Sequence, residues 1–242
     1  MANHLKLYSG LSVYFGSDLK TKAHAHHALE IVFALDGLLT IHGIKTIKSE
    51  GVIIKPDTVH SISGKGLIIS ILLDSDTALC SELVSMLGSK HIVKLEPSVT
   101  RTLITYFHNH DSHLTESAIC EMLSNSLASG NNLDAHATHQ LDRRIVDVID
   151  LIKSSPTKSI AFKTMLKVSA LSESRLMHLF KKETGVTIRK FILWTKLQHA
   201  IKLHQVGNSL KRSASLSGFT DAAHFNRVFV SNYGLNPSSM LK

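Results

Sequence analysis

The clearest helical pattern of this chain lies at residues 171–185, which read LSESRLMHLFKKETG. Its apolar residues recur three and four positions apart, at Leu176, Leu179 and Phe180. This spacing predicts a helix with one apolar face, which Ser172 would cap at its start and Gly185 at its end. A shorter apolar pattern at 162–168 precedes it across a tight turn. Two short helices joined in this way are typical of a helix-turn-helix, whose second helix enters the DNA major groove.

The same arrangement recurs further along the chain, after a long helical pattern at 188–204. A short apolar pattern at 210–214 is followed by a turn at Gly218, and Asp221 can cap the next helix. That helix has its apolar residues at Phe225, Val228 and Phe229. With a first helix at 141–152, the sequence predicts an all-α domain of two helix-turn-helix units joined by a long helix.

The charge distribution separates this domain from the rest of the chain. Residues 141–242 carry 17 Lys and Arg against 6 Asp and Glu, a net charge of +11, whereas residues 1–140 carry 10 against 13, a net charge of −3. A basic domain joined to a near-neutral one is typical of proteins that bind a polyanion. The pattern therefore predicts duplex DNA as the partner of the C-terminal domain.

Short β-rich runs interrupted by glycines occupy the N-terminal part of the chain. They lie at 13–15, 29–35, 38–41, 52–54 and 67–73. Closely spaced strands with turn signals predict a β-barrel. Apolar residues three and four apart at 78–87, 99–108 and 114–127 predict three helices after it. We expect domains at 1–130 and 140–242, with a polar linker at 131–139.

The third of these helices carries an apolar stripe formed by Ile119, Leu123 and Leu127. An apolar stripe that faces solvent marks an interface between subunits, so the stripe predicts a homodimer. The alternative is that the stripe packs on its own domain, as amphipathic helices commonly do.

One group of residues in the predicted barrel has metal-binding chemistry. His24, His26, Glu30 and His60 supply three imidazoles and a carboxylate, which can bind a divalent metal such as zinc, iron or manganese. The pattern His-x-His-x3-Glu-x6-Gly, which ends at Gly37, resembles the first motif of the cupin superfamily, although the second motif around His60 is only partly present. The resemblance implies a cupin-like barrel. It does not imply a bound metal, since regulatory cupins often keep these residues without one. We therefore expect no cofactor.

The basic domain resembles the DNA-binding domain of AraC/XylS-type bacterial transcription regulators. The matching residues are Leu171-Ser172-x-Ser174-Arg175-Leu176, Phe180-Lys181-Lys182-Glu183-Thr184-Gly185, Ala200, Gly218-Phe219, Phe225-x-Arg227-x-Phe229 and Tyr233-Gly234-Leu235-Asn236-Pro237-Ser238. The pattern departs from the family at Leu166, Ser169, Lys196, Ser213 and Val230, which affects core packing and one phosphate contact. The resemblance covers about 100 residues. With the barrel in front, it implies the two-domain layout of the family.

The resemblance assigns the DNA contacts residue by residue. The base-reading positions are Ser174, Met177, His178, Ala222, Ala223, Asn226 and Arg227. Arg227 can pair with guanine and Asn226 with adenine. The predicted phosphate contacts are Lys181, Lys182, Arg189, Lys190, Lys211 and Arg212, which as isolated residues also fit a solvated basic face.

We therefore predict a sequence-specific transcription regulator that responds to a small ligand or to dimerisation. Since most members of the family activate transcription, the resemblance also implies an activator that works with RNA polymerase. A metal-dependent cupin enzyme with a DNA-binding tail and a regulator with an empty barrel are the alternatives. The enzyme is disfavoured, because the sequence shows no other acid–base or nucleophile pair. No secretory signal or run of 18 apolar residues is evident, so we expect a cytoplasmic protein without a membrane partner.

Overall fold

The computed structural model describes residues 3–109, 114–130, 141–155 and 160–241. The predicted linker at 131–139 lies outside the described residues. An N-terminal domain rich in β-strands precedes a helical C-terminal domain, so the expected two-domain layout is confirmed. None of the helices in the described part of the chain combines the length and apolar character that a bilayer crossing requires.

The N-terminal domain is built from two antiparallel sheets. Its strands are β1 His4–Leu7, β2 Leu11–Ser17, β3 Leu29–Ala34, β4 Leu39–His42, β5 Thr46–Ser49, β6 Gly51–Ile54, β7 Ser61–Ser63, β8 Leu67–Leu73 and β9 Ile92–Lys94. Six strands pair in the order β1-β2-β8-β3-β6-β9, and three in the order β5-β4-β7. Because side chains alternate along a strand, the large sheet has two apolar faces, and each is buried in a different core.

Three helices cover one face of the large sheet. They are α1 Ala78–Met86, α2 Pro97–Asn109 and α3 Glu116–Gly130. The expected dimer stripe on α3 lies in this core: Ile119 and Leu123 are 0% exposed and Leu127 is 1% exposed. The prediction that these residues form a dimer interface is therefore wrong. Periodicity showed that this face of α3 is apolar, and the sheet of the same subunit covers it.

Shortening one of these buried side chains is expected to affect stability rather than association. Ile119→Val should lower the free energy of unfolding by about 0.5–1.5 kcal/mol, because it removes one buried methyl group. Urea denaturation of the full chain measures this loss. Ser124→Ala on the exposed side of α3 is the matched control and should change little. A change in sedimentation of Ile119→Val without a loss of stability would contradict the assignment.

The C-terminal domain follows as helices only, among the described residues. They are α4 Arg143–Ser154, α5 Phe162–Ser169, α6 Glu173–Thr184, α7 Ile188–Gln205, α8 Leu210–Leu216, α9 Ala222–Tyr233 and α10 Pro237–Met240. Two of the expected caps are in place: Asp221 accepts a hydrogen bond from the His224 amide, and Gly185 ends α6 at φ 76°. Ser172 occupies the N-cap position of α6, but its side chain makes no capping hydrogen bond. Local sequence signals thus set the ends of the helices.

The two halves of the C-terminal domain are stabilised by different cores. Helices α4, α5 and α6 and the start of α7 form a core of their own around Phe180 and Phe191. The rest of α7 and helices α8 to α10 pack into the core under the second face of the large sheet. That shared core includes Tyr14, Val32, Ile54 and Leu72 from the strands, and Trp194, Leu197, Phe229, Tyr233 and Met240 from the helices. The second half of the C-terminal domain is therefore fused to the N-terminal domain.

Candidate nucleic-acid interface and regulatory site

The first predicted DNA-reading surface lies on α6. Leu176, Leu179 and Phe180 are buried against α4 and α7, which fixes the rotation of the helix. The opposite side is open to solvent and carries Ser174, Met177 and His178. Met177 is 49% exposed, so its side chain is accessible to a partner.

The second predicted surface lies on α9 and is arranged in the same way. Phe225, Val228 and Phe229 are buried, and the exposed side carries the four predicted base readers Ala222, Ala223, Asn226 and Arg227. The small alanines at the start of α9 leave its first turn accessible, so that a DNA backbone or base edge can approach closely. The structure brings the four side chains together on one side of one helix.

Five of the six predicted phosphate contacts are exposed without an ion pair among the described residues. These are Lys181, Lys182, Arg189, Lys211 and Arg212. Lys190 differs, because its Nζ lies 3.0 Å from both carboxylate oxygens of Asp57 in the N-terminal domain. Burial would raise the pKa of Asp57, but hydrogen bonds from His27 and Lys190 outweigh it and lower that pKa. A lysine that the sequence assigns to DNA is thus bound by the other domain.

Asp74, at the end of β8, is a second point of contact between the domains. Its carboxylate accepts hydrogen bonds from Trp194 Nε1 at 2.9 Å and from Gln198 Nε2 at 2.9 and 3.1 Å. Asp74 is 2% exposed. Burial, with the nearby charge of Asp76, raises its pKa from 3.8 to about 6, while Lys153 and the two hydrogen bonds oppose the shift. The roles of Asp57 and Asp74 could not be predicted from the sequence, because their partners lie more than 100 residues away along the chain.

The raised pKa of Asp74 predicts a specific pH dependence. The folded state binds this proton more tightly than the unfolded chain, so the contribution of Asp74 to stability is greatest below pH 4 and is lost as the pH rises to 6. We expect Asp74→Asn to raise the free energy of unfolding at pH 7 by on the order of 2 kcal/mol, since it removes a buried charge and keeps an acceptor for Trp194.

Thermal unfolding of the full chain between pH 4 and pH 7 measures this effect. The difference between Asp74→Asn and the unsubstituted chain should grow from pH 4 to pH 6 and then stay constant. Asp36→Asn, an exposed carboxylate in a turn, is the matched control and should leave the pH dependence unchanged. A difference that is independent of pH would show that Asp74 titrates normally.

The four predicted metal ligands converge in the N-terminal domain. His24, His26, Glu30 and His60 are all buried, and their ligand atoms lie within 4.8 Å of one another. Glu30 projects from β3, and residues 24 and 60 pair across two connecting segments, with backbone hydrogen bonds of 2.9 Å in both directions. Glu30 Oε2 lies 3.1 Å from His26 Nε2 and 3.0 Å from His60 Nε2. Ser70 donates to the other carboxylate oxygen at 2.6 Å.

Backbone carbonyls orient all three imidazoles in the same way. The Nδ1 atoms of His24, His26 and His60 lie 2.8–2.9 Å from the carbonyl oxygens of Lys22, Ala28 and Thr58. A carbonyl accepts only, so each Nδ1 carries a proton, and Nε2 has a lone pair in the neutral ring and a second proton in the charged ring. This second layer of hydrogen bonds is the one that metal-binding histidines commonly have.

The charges in this cluster are strongly coupled. Burial lowers the pKa of His24 to about 3, and the neighbouring His60 and His26 add to the effect, so His24 is neutral at neutral pH. Burial alone would raise the pKa of Glu30, but hydrogen bonds from His26 and His60 hold it well below its usual range. Burial would lower the pKa of His60, but its hydrogen bond to Glu30 raises it. The imidazoles beside Glu30 therefore stabilise its buried carboxylate.

The residues fit a divalent metal by donor type and by geometry. Three imidazole nitrogens and one carboxylate are a ligand set used for zinc and for other first-row metals. Donors bound to one metal ion lie roughly 2.8–4.4 Å apart, so the observed spread closes with movements of less than an ångström. A cavity of about 20 Å³ borders His24, His26 and Glu30, enough for one water molecule.

Comparisons with known proteins agree with this architecture. A family model described as a helix-turn-helix domain matches residues 165–242. The probable transcriptional regulator LumQ of Photobacterium leiognathi is 23% identical over 230 residues, which cover 90% of this chain and 92% of that protein. The uncharacterized HTH-type transcriptional regulator YidL of Escherichia coli (strain K12) is 32% identical over 101 residues, 41% of this chain and 34% of that protein.

Among solved structures, ToxT from Vibrio cholerae has the same two-domain fold. It superimposes with a TM-score of 0.64 at 16% identity, over 96% of this chain and 98% of ToxT. A ToxT structure with a bound unsaturated fatty acid superimposes with a TM-score of 0.61 at 16% identity, over 97% of each chain. With its helix-turn-helix match and its relatives named as transcriptional regulators, the chain is a DNA-binding transcription regulator whose C-terminal domain contains an AraC-type helix-turn-helix domain.

Proposed function

We propose that the chain reads DNA with two helix-turn-helix units, α5–α6 and α8–α9, and that the N-terminal domain forms a cupin-like barrel that controls them. The observation that carries the proposal is the division of α6 and α9 into a buried apolar side and an exposed side. All seven predicted base readers lie on the exposed sides. The exposed lysines and arginines near α6, α7 and α8 supply the phosphate contacts.

Control by the N-terminal domain is supported by the interface between the domains. Asp57 neutralises Lys190, Asp74 binds Trp194 and Gln198, and a shared apolar core holds α7 to α10. A change in the N-terminal domain therefore alters the position or mobility of the DNA-reading helices. ToxT has been solved with a fatty acid, which makes a small-molecule effector a reasonable model for this chain as well.

The cavity beside the histidine cluster argues against a large effector at that place. Its volume of about 20 Å³ holds one water molecule, whereas drug-sized ligands occupy cavities of about 300–1,000 Å³. The same argument disfavours the alternative of a metal-dependent enzyme, which needs room for its substrate next to the metal. We therefore propose a regulator that carries out no reaction of its own.

The remaining partners follow from the family resemblance. We propose that the protein activates transcription, contacts RNA polymerase, binds DNA as a homodimer and works in the cytoplasm, where the chromosome is. The dimer must use a surface other than Ile119, Leu123 and Leu127, which are buried.

A selection of binding sites from a random duplex library by the full chain tests the proposed function. We expect an enriched motif with two short conserved blocks about one helical turn apart, one for α6 and one for α9. Mapping of bound DNA across the genome, with and without candidate effectors, would then identify the regulated promoters. A library that returns no enriched motif would overturn the proposal.

A further inference from the structure

We propose that the effector of this regulator is a divalent first-row transition-metal ion bound by His24, His26, Glu30 and His60, and that the bound ion holds the DNA-binding domain docked against the N-terminal domain. This inference rests on the proposed function, because it names the effector and the direction of its action.

The geometry of the cluster fits a cation bound between its four side chains. The carbonyls of Lys22, Ala28 and Thr58 accept hydrogen bonds from the Nδ1 atoms of the three rings. The Nε2 atoms of His26 and His60 are thereby directed at Glu30 Oε2, from 3.1 and 3.0 Å. One divalent ion between the four donors satisfies the three nitrogens and the carboxylate together.

The ligand set indicates the chemical class of the ion. Imidazole nitrogens select zinc, nickel, cobalt or iron over magnesium and calcium, which prefer oxygen donors. The hydrogen bond from Ser70 fixes one carboxylate oxygen and leaves Oε2 directed at the histidines. The adjacent one-water cavity supplies a position for a bound water molecule, so the site accepts four or five ligands.

One segment that carries ligands also contacts α9 directly. The Lys22 amide donates to the carbonyl of Gly234 at 2.8 Å, and the Ala25 amide donates to the carbonyl of Ser231 at 3.2 Å. These carbonyls belong to the end of α9, where a helix has no partners of its own. Gly234 packs so closely that a Cβ there would lie 2.6 Å from His24 Nδ1. An ion that fixes His24 and His26 therefore fixes the segment that caps the DNA-reading helix α9.

A second segment connects the same ligands to Lys190. The Asp57 amide donates to the carbonyl of His26 at 2.8 Å, and the Thr58 carbonyl orients His60. Asp57 is thus connected to His26 by a backbone hydrogen bond and to His60 through the neighbouring Thr58, and its carboxylate binds Lys190. An ion that orders this loop strengthens the ion pair and withdraws a phosphate-binding lysine from DNA. Metal binding is therefore expected to weaken DNA binding.

The first experiment measures metal binding by the full chain after chelator treatment. We expect one Co²⁺ per chain, with the visible absorption of a nitrogen- and oxygen-ligated site, and displacement by Zn²⁺. Glu30→Gln and His60→Ala should lower the affinity for Co²⁺ at least about 10-fold. His42→Ala, an exposed histidine on β4, is the matched control and should bind normally.

X-ray absorption of the Zn²⁺-loaded unsubstituted chain counts the imidazoles bound to the metal. This measurement needs no substitution, so it tests the site even if a variant fails to fold. Three imidazoles and one carboxylate are expected. Fewer than two imidazoles, or Co²⁺ binding that Glu30→Gln and His60→Ala leave unchanged, would overturn the site.

The second experiment measures the affinity of the full chain for its selected DNA with and without one equivalent of Zn²⁺. We expect Zn²⁺ to lower the affinity about 10-fold, and DNA to lower the affinity for Zn²⁺ by the same factor, because the coupling is reciprocal. Asp57→Asn should keep metal binding and reduce the effect on DNA, since it removes the acceptor of Lys190.

The outcomes separate this inference from the proposed function. A full chain that takes up Zn²⁺ at the site but binds DNA equally well in both states, or more tightly with Zn²⁺, overturns the inference and leaves the proposed function standing. A full chain that selects no DNA sequence in either state overturns the proposed function.

Discussion

The affinity of the full chain for its operator is expected to fall about 1,000-fold when monovalent salt rises from about 50 to about 200 mM. Each phosphate that a lysine or arginine neutralises releases bound counterions, so the logarithm of the binding constant falls with the logarithm of the salt concentration, with a slope of about −0.9 per contact. The six predicted contacts therefore give a slope of about −5. The net charge of +11 on residues 141–242 is the source of this effect.

Fluorescence anisotropy with labelled operator over a salt series measures the slope. Lys182→Ala should reduce its magnitude by about 1. Lys45→Ala, an exposed lysine of the N-terminal domain, is the matched control and should leave the slope unchanged. Affinity that is insensitive to salt would contradict a binding mode that depends on phosphate contacts. Isolated residues 141–242 are a poor sample for this measurement, because they would expose Trp194, Phe229 and Tyr233 of the shared core.

The second large effect concerns sequence preference. Arg227→Ala and Asn226→Ala are each expected to relax the preference at one base pair, with a loss of about 1–3 kcal/mol against the correct base. Both side chains lie on the exposed side of α9, and the buried Phe225 beside them fixes the helix face that can turn to a base edge. Lys182→Ala should weaken binding to all sequences alike, because a phosphate contact carries no base information.

Selection from a random duplex library with each variant distinguishes the two roles. The motif returned by Arg227→Ala should lose a guanine at one position, while Lys182→Ala should return the unsubstituted motif at lower yield. If Arg227→Ala also returns the unchanged motif, Arg227 contacts phosphate, and specificity comes from other residues or from DNA shape.

The helices of the C-terminal domain could be predicted because their signals are local. Gly185 and Gly234 end α6 and α9 in the left-handed region, at φ 76° and 66°, a conformation that glycine adopts without strain. Apolar residues three and four apart then determine which side of each helix is buried. The exposed positions of Met177 and Arg227 follow from that rotation, without knowledge of any other part of the molecule.

The histidine cluster is an intermediate case. The short spacing of His24, His26 and Glu30 in the chain indicated a ligand set. In the structure, the backbone at residue 24 pairs with that at residue 60, which places His60 beside them. The carbonyls that orient the rings belong to the same short segments, yet their role depends on backbone conformation that no residue type specifies. The sequence predicted which residues could bind a metal, and the fold supplied their mutual distances.

The α3 stripe marks the limit of reasoning from periodicity. Ile119 and Leu123 make one side of α3 apolar, but periodicity carries no information about what covers it. The large sheet of the same subunit does so, and it leaves Ser124 and Glu121 on the outside. A dimer interface and a domain core have the same pattern, since both remove apolar area from water.

The helix ends, the exposed sides of α6 and α9 and the division of charge between the domains could be predicted from the sequence, because they depend on neighbouring residues and on composition. Three features depend on how the whole chain packs: Asp57 binds Lys190, Asp74 binds Trp194, and α7 to α10 share a core with the strands. The first two pairs are separated by 133 and 120 residues. Contacts at such separations form only when the whole chain packs, and no local pattern specifies which buried group meets which.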